Sequence, residues 1–215
     1  MERHAFAMKT KEKMMNQFKA NLGKVWPRLT AFLDAHQASN FSMWSVEDMV
    51  FGYFETPGEL VYTEEDKAEV ARWEEEFAGV YDWISTPFQE MRLMYEEFGV
   101  VRECKELIRH RVFITKLYPG KEEEYKSAHD ELVAARNGKI PQGPDSNFSI
   151  WSAGGYVFGY DEIDVTMDFE WTPEERQWNI DWENRMLELM SWLTDDIDFM
   201  LPERHNNIIR LGWHN

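Results

Sequence analysis

Apolar and polar positions alternate along the chain in two rhythms, one of period two and one of three to four. The apolar run in "HAFAMK" predicts a first strand. Behind it Met14, Phe18, Leu22, Val25, Leu29 and Phe32 recur at helical steps, with Pro27 placed to kink that helix or to start another. "NFSMWSV" and "VFGYFE", parted by the turn-like "EDM", predict a strand pair. From Glu64 to Ser85 the run predicts a long amphipathic helix whose acidic start suits the helix dipole. "EMRLMYEEF" predicts a fourth strand.

The order then recurs. "HRVFITKLY" predicts a strand, "PGKEEEYKSAHDELVAAR" a helix with proline near its start, and "NGKIPQGPDS" a loop. "NFSIWSA" and "YVFGYDE" predict a second strand pair. "TPEERQWNIDWENRMLELMSWLT" predicts a helix with Thr172 as N-cap and Pro173 at its first position, and "NNIIRLGW" closes the unit.

The recurrence extends to identity. Asn40–Glu55 and Asn147–Glu162 share ten of sixteen residues at an offset of 107. That period is too long for a solenoid repeat, so the chain reads as two small domains, residues 1–100 and 107–215. Each has the order β-α-β-β-α-β, the ferredoxin-like pattern of an antiparallel sheet with both helices on one face. The predicted fold class is α+β. Stacking the bare sheet faces of the two copies would make the chain its own pseudo-dimer.

Charge narrows the partners. With 40 acidic and 23 basic residues the net charge is −17, which argues against nucleic acid and anionic membrane surfaces. A small neutral molecule is compatible. The single cysteine, Cys104, cannot form an internal disulfide and fits a reducing compartment. The N-terminal segment has no apolar signal core and no run reaches membrane-spanning length, so a cytoplasmic protein is expected.

The sequence holds no HExxH, cysteine pair, phosphate-binding glycine loop or GxSxG, so neither a metal nor a cofactor is expected. What remains is aromatic residues around a few polar groups, the composition of many sugar pockets. Tyr125 and His129 lie one helical turn apart on one face, a histidine able to move a proton beside a hydroxyl able to orient a substrate. The equivalent positions of the first copy are Phe18 and Leu22. Trp44 and Trp151, in matching strands, could stack on a sugar face or pack the core. Trp83 and Trp192, at helical spacing from Trp73 and Trp182, read as core, and His36 as structural.

"AFAMK", Trp26-Pro27, "NFSMW" and "FGYFE" in the first copy, with "YKSAH" in the second, resemble the L-rhamnose mutarotase family. The resemblance runs nearly from Met1 to Tyr95 and again from about Ile108 to the C-terminus. It implies ferredoxin-like domains paired as a dimeric α+β barrel, here within one chain, that interconvert sugar anomers without a cofactor. It further implies that His129 is the proton donor, with Tyr125 beside it. On that footing His129 is expected to give its proton to the ring oxygen, while Tyr125 or Glu183 handles the anomeric hydroxyl. The family's strand tyrosine falls on Phe148 and Phe41. Its Trp-Trp pair becomes Trp182-Glu183 and Trp73-Glu74. The expected site is therefore His129 and Tyr125 as catalytic residues, with Trp151, Phe148, Trp182 and Glu183 on the sugar. Trp26-Pro27 becomes Val133-Ala134 in the second copy. The first copy should be catalytically dead, and the sugar L-rhamnose or a relative. The alternative readings are an inactive sugar-binding or scaffold protein, and another barrel activity such as a small monooxygenase.

Overall fold

The computed structural model describes residues 1–85, 88–102, 104–140, 142–167, 170–193 and 208–215. Pro141, Thr194, Asn206 and Asn207, where a predicted loop, helix and strand run on, lie outside them. The chain divides into two compact units. One comprises the described residues of 1–91 and 200–215, the other those of 92–199.

In the first unit β1 (Glu2–Thr10), α1 (Met15–Ala35), β2 (Ser39–Val46), β3 (Met49–Thr56), α2 (Glu64–Glu76) and β4 (Tyr81–Trp83) follow the predicted order. The long helix expected from Glu64 to Ser85 is corrected. It stops at Glu76, the chain turns at Gly79 with φ +77°, and Tyr81–Trp83 pairs with β1. A positive φ suits glycine, and it converts the end of the helical run into an edge strand. Trp83, read as a helical core residue, therefore stands on that strand. At the other end of α2, Thr63 and Asp66 form a reciprocal capping box. Pro27 neither ends α1 nor starts a second helix; Met15–Ala35 is continuous across it.

The segment expected to close the first copy is β5 (Arg92–Glu97), and it does not join this sheet. It pairs with β7 in the second unit, which contains β6 (Ile108–Leu117), α3 (Glu122–Ala135), β7 (Asp145–Ala153), β8 (Tyr156–Asp164), α4 (Pro173–Leu187) and β9 (Met190–Trp192). Reciprocally, β10 (Ile209–His214) pairs with β2. The sheets run β10-β2-β3-β1-β4 and β5-β7-β8-β6-β9, every pair antiparallel. The ferredoxin-like order is completed by the short strands β4 and β9. Each sheet then takes a fifth strand from the segment that follows the other copy. Trp192 shares Trp83's fate, since α4 ends at Leu187 and Met190–Trp192 pairs with β6. Thr172 caps α4 through a box with Glu175, and Pro173 is its first residue, as predicted.

The repeated "NFS…FGYxE" has a structural cause in each unit. Asn40 and Asn147 adopt φ of 54° and 53° where the pairing of β2 with β3, and of β7 with β8, slips. Asparagine tolerates that left-handed conformation, and the bulge bends the strand. Their amides then donate to Glu55 and Glu162, which also accept from Tyr53 and Tyr160. The glycines serve a different need. A Cβ on Gly52 would lie 1.9 Å from the Phe6 ring, and one on Gly159 2.0 Å from the Phe113 ring. An aromatic ring covers each bare strand position.

In each unit an apolar core lies between helices and sheet. Phe18, Leu22 and Val25 of α1 meet Met8, Met43 and Val50 of the strands. Tyr125 and Ala128 of α3 and Met186 of α4 meet Phe113, Ile150 and Val157. No helix among the described residues is long and apolar enough to cross a membrane.

Candidate active site

Between α3, α4 and the second sheet lies a cavity of about 570 Å³. It is lined by five of the six expected site residues: Tyr125, His129, Phe148, Trp182 and Glu183. Trp151 is not among them. Its neighbour Ile150 faces the helices, so the two-residue period of β7 turns Trp151 to the other face of the sheet. There it is buried and donates its indole N–H to Ser149 Oγ at 2.9 Å. Trp151 is thereby corrected from sugar stacker to a packed strand residue.

α3 delivers Tyr125 and His129. Their four-residue spacing sets both on the buried face of the helix, at 2 % and 3 % exposure. The imidazole Nδ1 donates to the Tyr125 carbonyl oxygen at 2.9 Å. A carbonyl only accepts, so the proton is on Nδ1 and Nε2 carries the lone pair. Aromatic rings fix the imidazole on three sides: Tyr125 at 4.3 Å, Trp182 at 5.0 Å and nearly perpendicular, and Tyr95 at 5.1 Å. Burial holds the His129 pKa down to about 4, although the Tyr125 carbonyl and Asp130 oppose that. At neutral pH the ring is uncharged.

Glu183 follows Trp182 on α4. Burial pushes its carboxyl up to about 7, with Arg111 pulling the other way. Burial and then Glu183 raise the Tyr125 phenol well above its ordinary value. No described residue hydrogen-bonds to the Tyr125 hydroxyl, His129 Nε2 or the Glu183 carboxyl. A half-buried acid that keeps much of its proton near neutrality thus shares a cavity with a neutral imidazole acceptor. A pair so tuned is a candidate for proton transfer.

Several lining residues were missed by sequence reasoning. Tyr95 and Glu97 come from β5, which was assigned to the wrong sheet. The Tyr95 hydroxyl donates to Glu97 at 2.8 Å, and Arg136 contacts both Tyr95 and Glu97. Equivalent positions in the two units show an exchange of bulk. In the first unit Trp26 lies over Gly212, where a Cβ would come within 2.3 Å of the indole. In the second, Val133 replaces Trp26 and Tyr95 stands at the strand position of Gly212, filling the space from the sheet side. Arg111 was also missed. It is paired with Asp161 at 2.5 Å and Asp145 at 3.1 Å. Comparison of the copies could have found it, because His4 and Phe54 occupy the equivalent positions of Arg111 and Asp161.

The first unit has a cavity in the same place, about 300 Å³ in volume, with Phe18 and Leu22 in its wall. Glu74, equivalent to Glu183, accepts from the Tyr81 hydroxyl at 2.5 Å and the Trp83 indole at 3.0 Å. His36, read as structural, bonds Asp66 at 3.0 Å. Among the described residues no three His, Cys, Asp or Glu side chains converge to hold a metal.

A family model described as L-rhamnose mutarotase matches the chain twice, over residues 3–98 and 110–207. No curated protein matches it. A crystal structure named "Putative monooxygenase" from Fusobacterium nucleatum aligns with a TM-score of 0.40 and 7% identity, covering 88% of this chain and 87% of that one.

Proposed function

This chain belongs to the L-rhamnose mutarotase family, and we propose that its second unit interconverts the anomers of L-rhamnose or a closely related aldose without a cofactor. The observation that carries this reading is the meeting of His129, Tyr125 and Glu183 in one aromatic cavity. The apolar faces of a pyranose suit Trp182 and Phe148, while its hydroxyls need the polar groups between them.

Ring opening removes the proton of the anomeric hydroxyl and supplies one to the ring oxygen. His129 Nε2 takes the first as the C1–O1 bond becomes a carbonyl and the C1–ring-oxygen bond breaks. Glu183, protonated near neutrality, gives the second. Rotation about C1–C2 presents the other carbonyl face. Closure runs the same transfers backward, with the imidazolium returning its proton to O1. The donor role implied by the family resemblance thus belongs to His129 in the closing half, and the ring oxygen is served by Glu183. Tyr125 orients the hydroxyl between them. The reaction proceeds slowly in water alone, so an acid–base pair contributing roughly 10²–10⁴-fold suffices.

The test is NMR exchange between anomers at equilibrium, across L-rhamnose, L-fucose and L-lyxose. Enhanced exchange with one sugar, lost in His129→Ala and Glu183→Gln, is expected. Saturable sugar binding with unchanged exchange would replace the enzyme by a sugar-binding protein.

A further inference from the structure

The first unit has lost the acid–base pair yet keeps a cavity, and we propose that this cavity binds a small apolar amine. The proposal is independent of the sugar chemistry assigned to the second unit. Three features lead to it.

The wall is hydrocarbon and aromatic. Phe18 contacts Phe77 at 5.0 Å and Tyr81 at 5.7 Å, and Tyr81 meets Trp83 edge-on at 5.5 Å. A sugar such as L-rhamnose would bury four hydroxyls and a ring oxygen in a cavity whose lining is mostly hydrocarbon and aromatic, an expensive desolvation that its few polar side chains offset only in part. The cavity therefore selects against the second unit's ligand class.

One carboxylate is built into that wall. Glu74 Oε1 accepts both the Tyr81 hydroxyl and the Trp83 indole N–H, which fixes the group in place. Oε2 is left without a hydrogen bond from any described residue, and no described Lys, Arg or His forms an ion pair with Glu74. A plain hydrocarbon ligand would leave that charge uncompensated. An ammonium group would make a charge-assisted hydrogen bond to it and meet the faces of Trp73, Tyr81 and Trp83. At the rim Glu90, which is bonded to His4, adds a second negative group on the same path.

Size sets the third limit. About 300 Å³ holds roughly ten non-hydrogen atoms, taking ~30 Å³ for each as for liquid water. Phenethylamine, with an aryl ring, a two-carbon link and an amine, matches in shape and charge.

The experiment is titration of the full chain with phenethylamine, followed by calorimetry and by indole N–H shifts of Trp73 and Trp83, with 2-phenylethanol as neutral isostere. Saturable binding with intermolecular NOEs to those indoles is expected. The neutral isostere should bind at least tenfold more weakly, and Glu74→Gln should weaken the amine at least tenfold. Leu22→Trp, which fills the cavity, should abolish binding, whereas Tyr125→Phe in the second unit should leave it unchanged. Absence of saturable binding by the folded wild-type chain overturns the proposal. So does equal affinity for amine and alcohol, or binding that survives Leu22→Trp.

Discussion

His129 donates its Nδ1 proton to the Tyr125 carbonyl oxygen, one turn back along α3, at 2.9 Å. The bond fixes the tautomer and leaves Nε2 as an acceptor facing the cavity. With burial holding the pKa down to about 4, the ring should stay neutral through the physiological range. NMR titration of the imidazole is expected to give a midpoint near 4 and the nitrogen shifts of the Nδ1–H tautomer. A midpoint at the ordinary value of 6.5 would return His129 to the role of initial acid.

Glu183 titrates in the opposite sense. Its folded pKa of about 7 lies above the ordinary 4.5, so the proton it would give under the proposed mechanism is lost as pH rises through 7. Anomer exchange should fall on the alkaline side with that midpoint, and on the acid side as His129 protonates near 4. Glu183→Gln should cost roughly 10²–10⁴ in rate and remove the alkaline limb.

The same pair makes a stability prediction. His129 has a depressed folded pKa, so the unfolded chain binds its proton more readily and stability is lost as pH falls from 6.5 towards 4. Glu183 has a raised folded pKa, so its contribution is lost as pH rises from 4.5 through 7. Each is worth on the order of 1–3 kcal/mol. Thermal melts should therefore show Glu183→Gln more stable than wild type above pH 7 while less active. His129→Gln should lose less stability than wild type on acidification. Parallel pH dependence of wild type and variants would remove both groups from the linkage.

Much of this site was legible because the chain carries its own comparison. At a constant offset, Phe18 and Leu22 against Tyr125 and His129 exposed a polar gain in a single copy, and the heptad-free helical spacing put both on one face. Phe148, expected on the sugar from the family resemblance alone, lines the same cavity. Trp151 failed because a bulge at Asn147 separates it from the start of β7, and sequence alone does not tell which face of a doubly buried strand looks inward. Tyr95 and Glu97 were hidden by a different cause. "EMRLMYEEF" reads as a strand in either sheet, and nothing in its local pattern says that its hydrogen bonds go to β7. The helix ends at Glu76 and Leu187 were masked by aromatic residues that suit a helix face and an edge strand equally well.

The ring-over-glycine pairs separate stability from activity. Gly159→Ala would drive a Cβ into the Phe113 ring, and Gly52→Ala would do the same to Phe6. Each should cost about 1–3 kcal/mol of stability, visible as a lower denaturation midpoint. Phe113 also lines the second unit's cavity, so under the proposed function Gly159→Ala should raise KM or depress exchange roughly tenfold or more. Gly52→Ala should leave exchange near wild type. Equal loss of activity from both would contradict the assignment of catalysis to the second unit.

Arg111 and Asp161 offer the sharpest contrast between the units, because their equivalents are His4 stacked on Phe54 at 4.7 Å. Burial pushes the Asp161 carboxyl well above its ordinary value, and Arg111, its ion-pair partner at 2.5 Å, pulls it back. Arg111→Met should therefore strand a buried acid and cost about 3–5 kcal/mol. The double change Arg111→His with Asp161→Phe rebuilds the apolar stack of the first unit and should restore most of that loss. Activity should respond differently. Arg111 lowers the Glu183 carboxyl pKa, so its removal raises that pKa further and moves the alkaline limb of the exchange profile above 7. The double variant should thus fold like wild type, retain exchange, and keep it to higher pH. A limb that stays at 7 would show that Arg111 serves the fold and leaves the proton donor untouched.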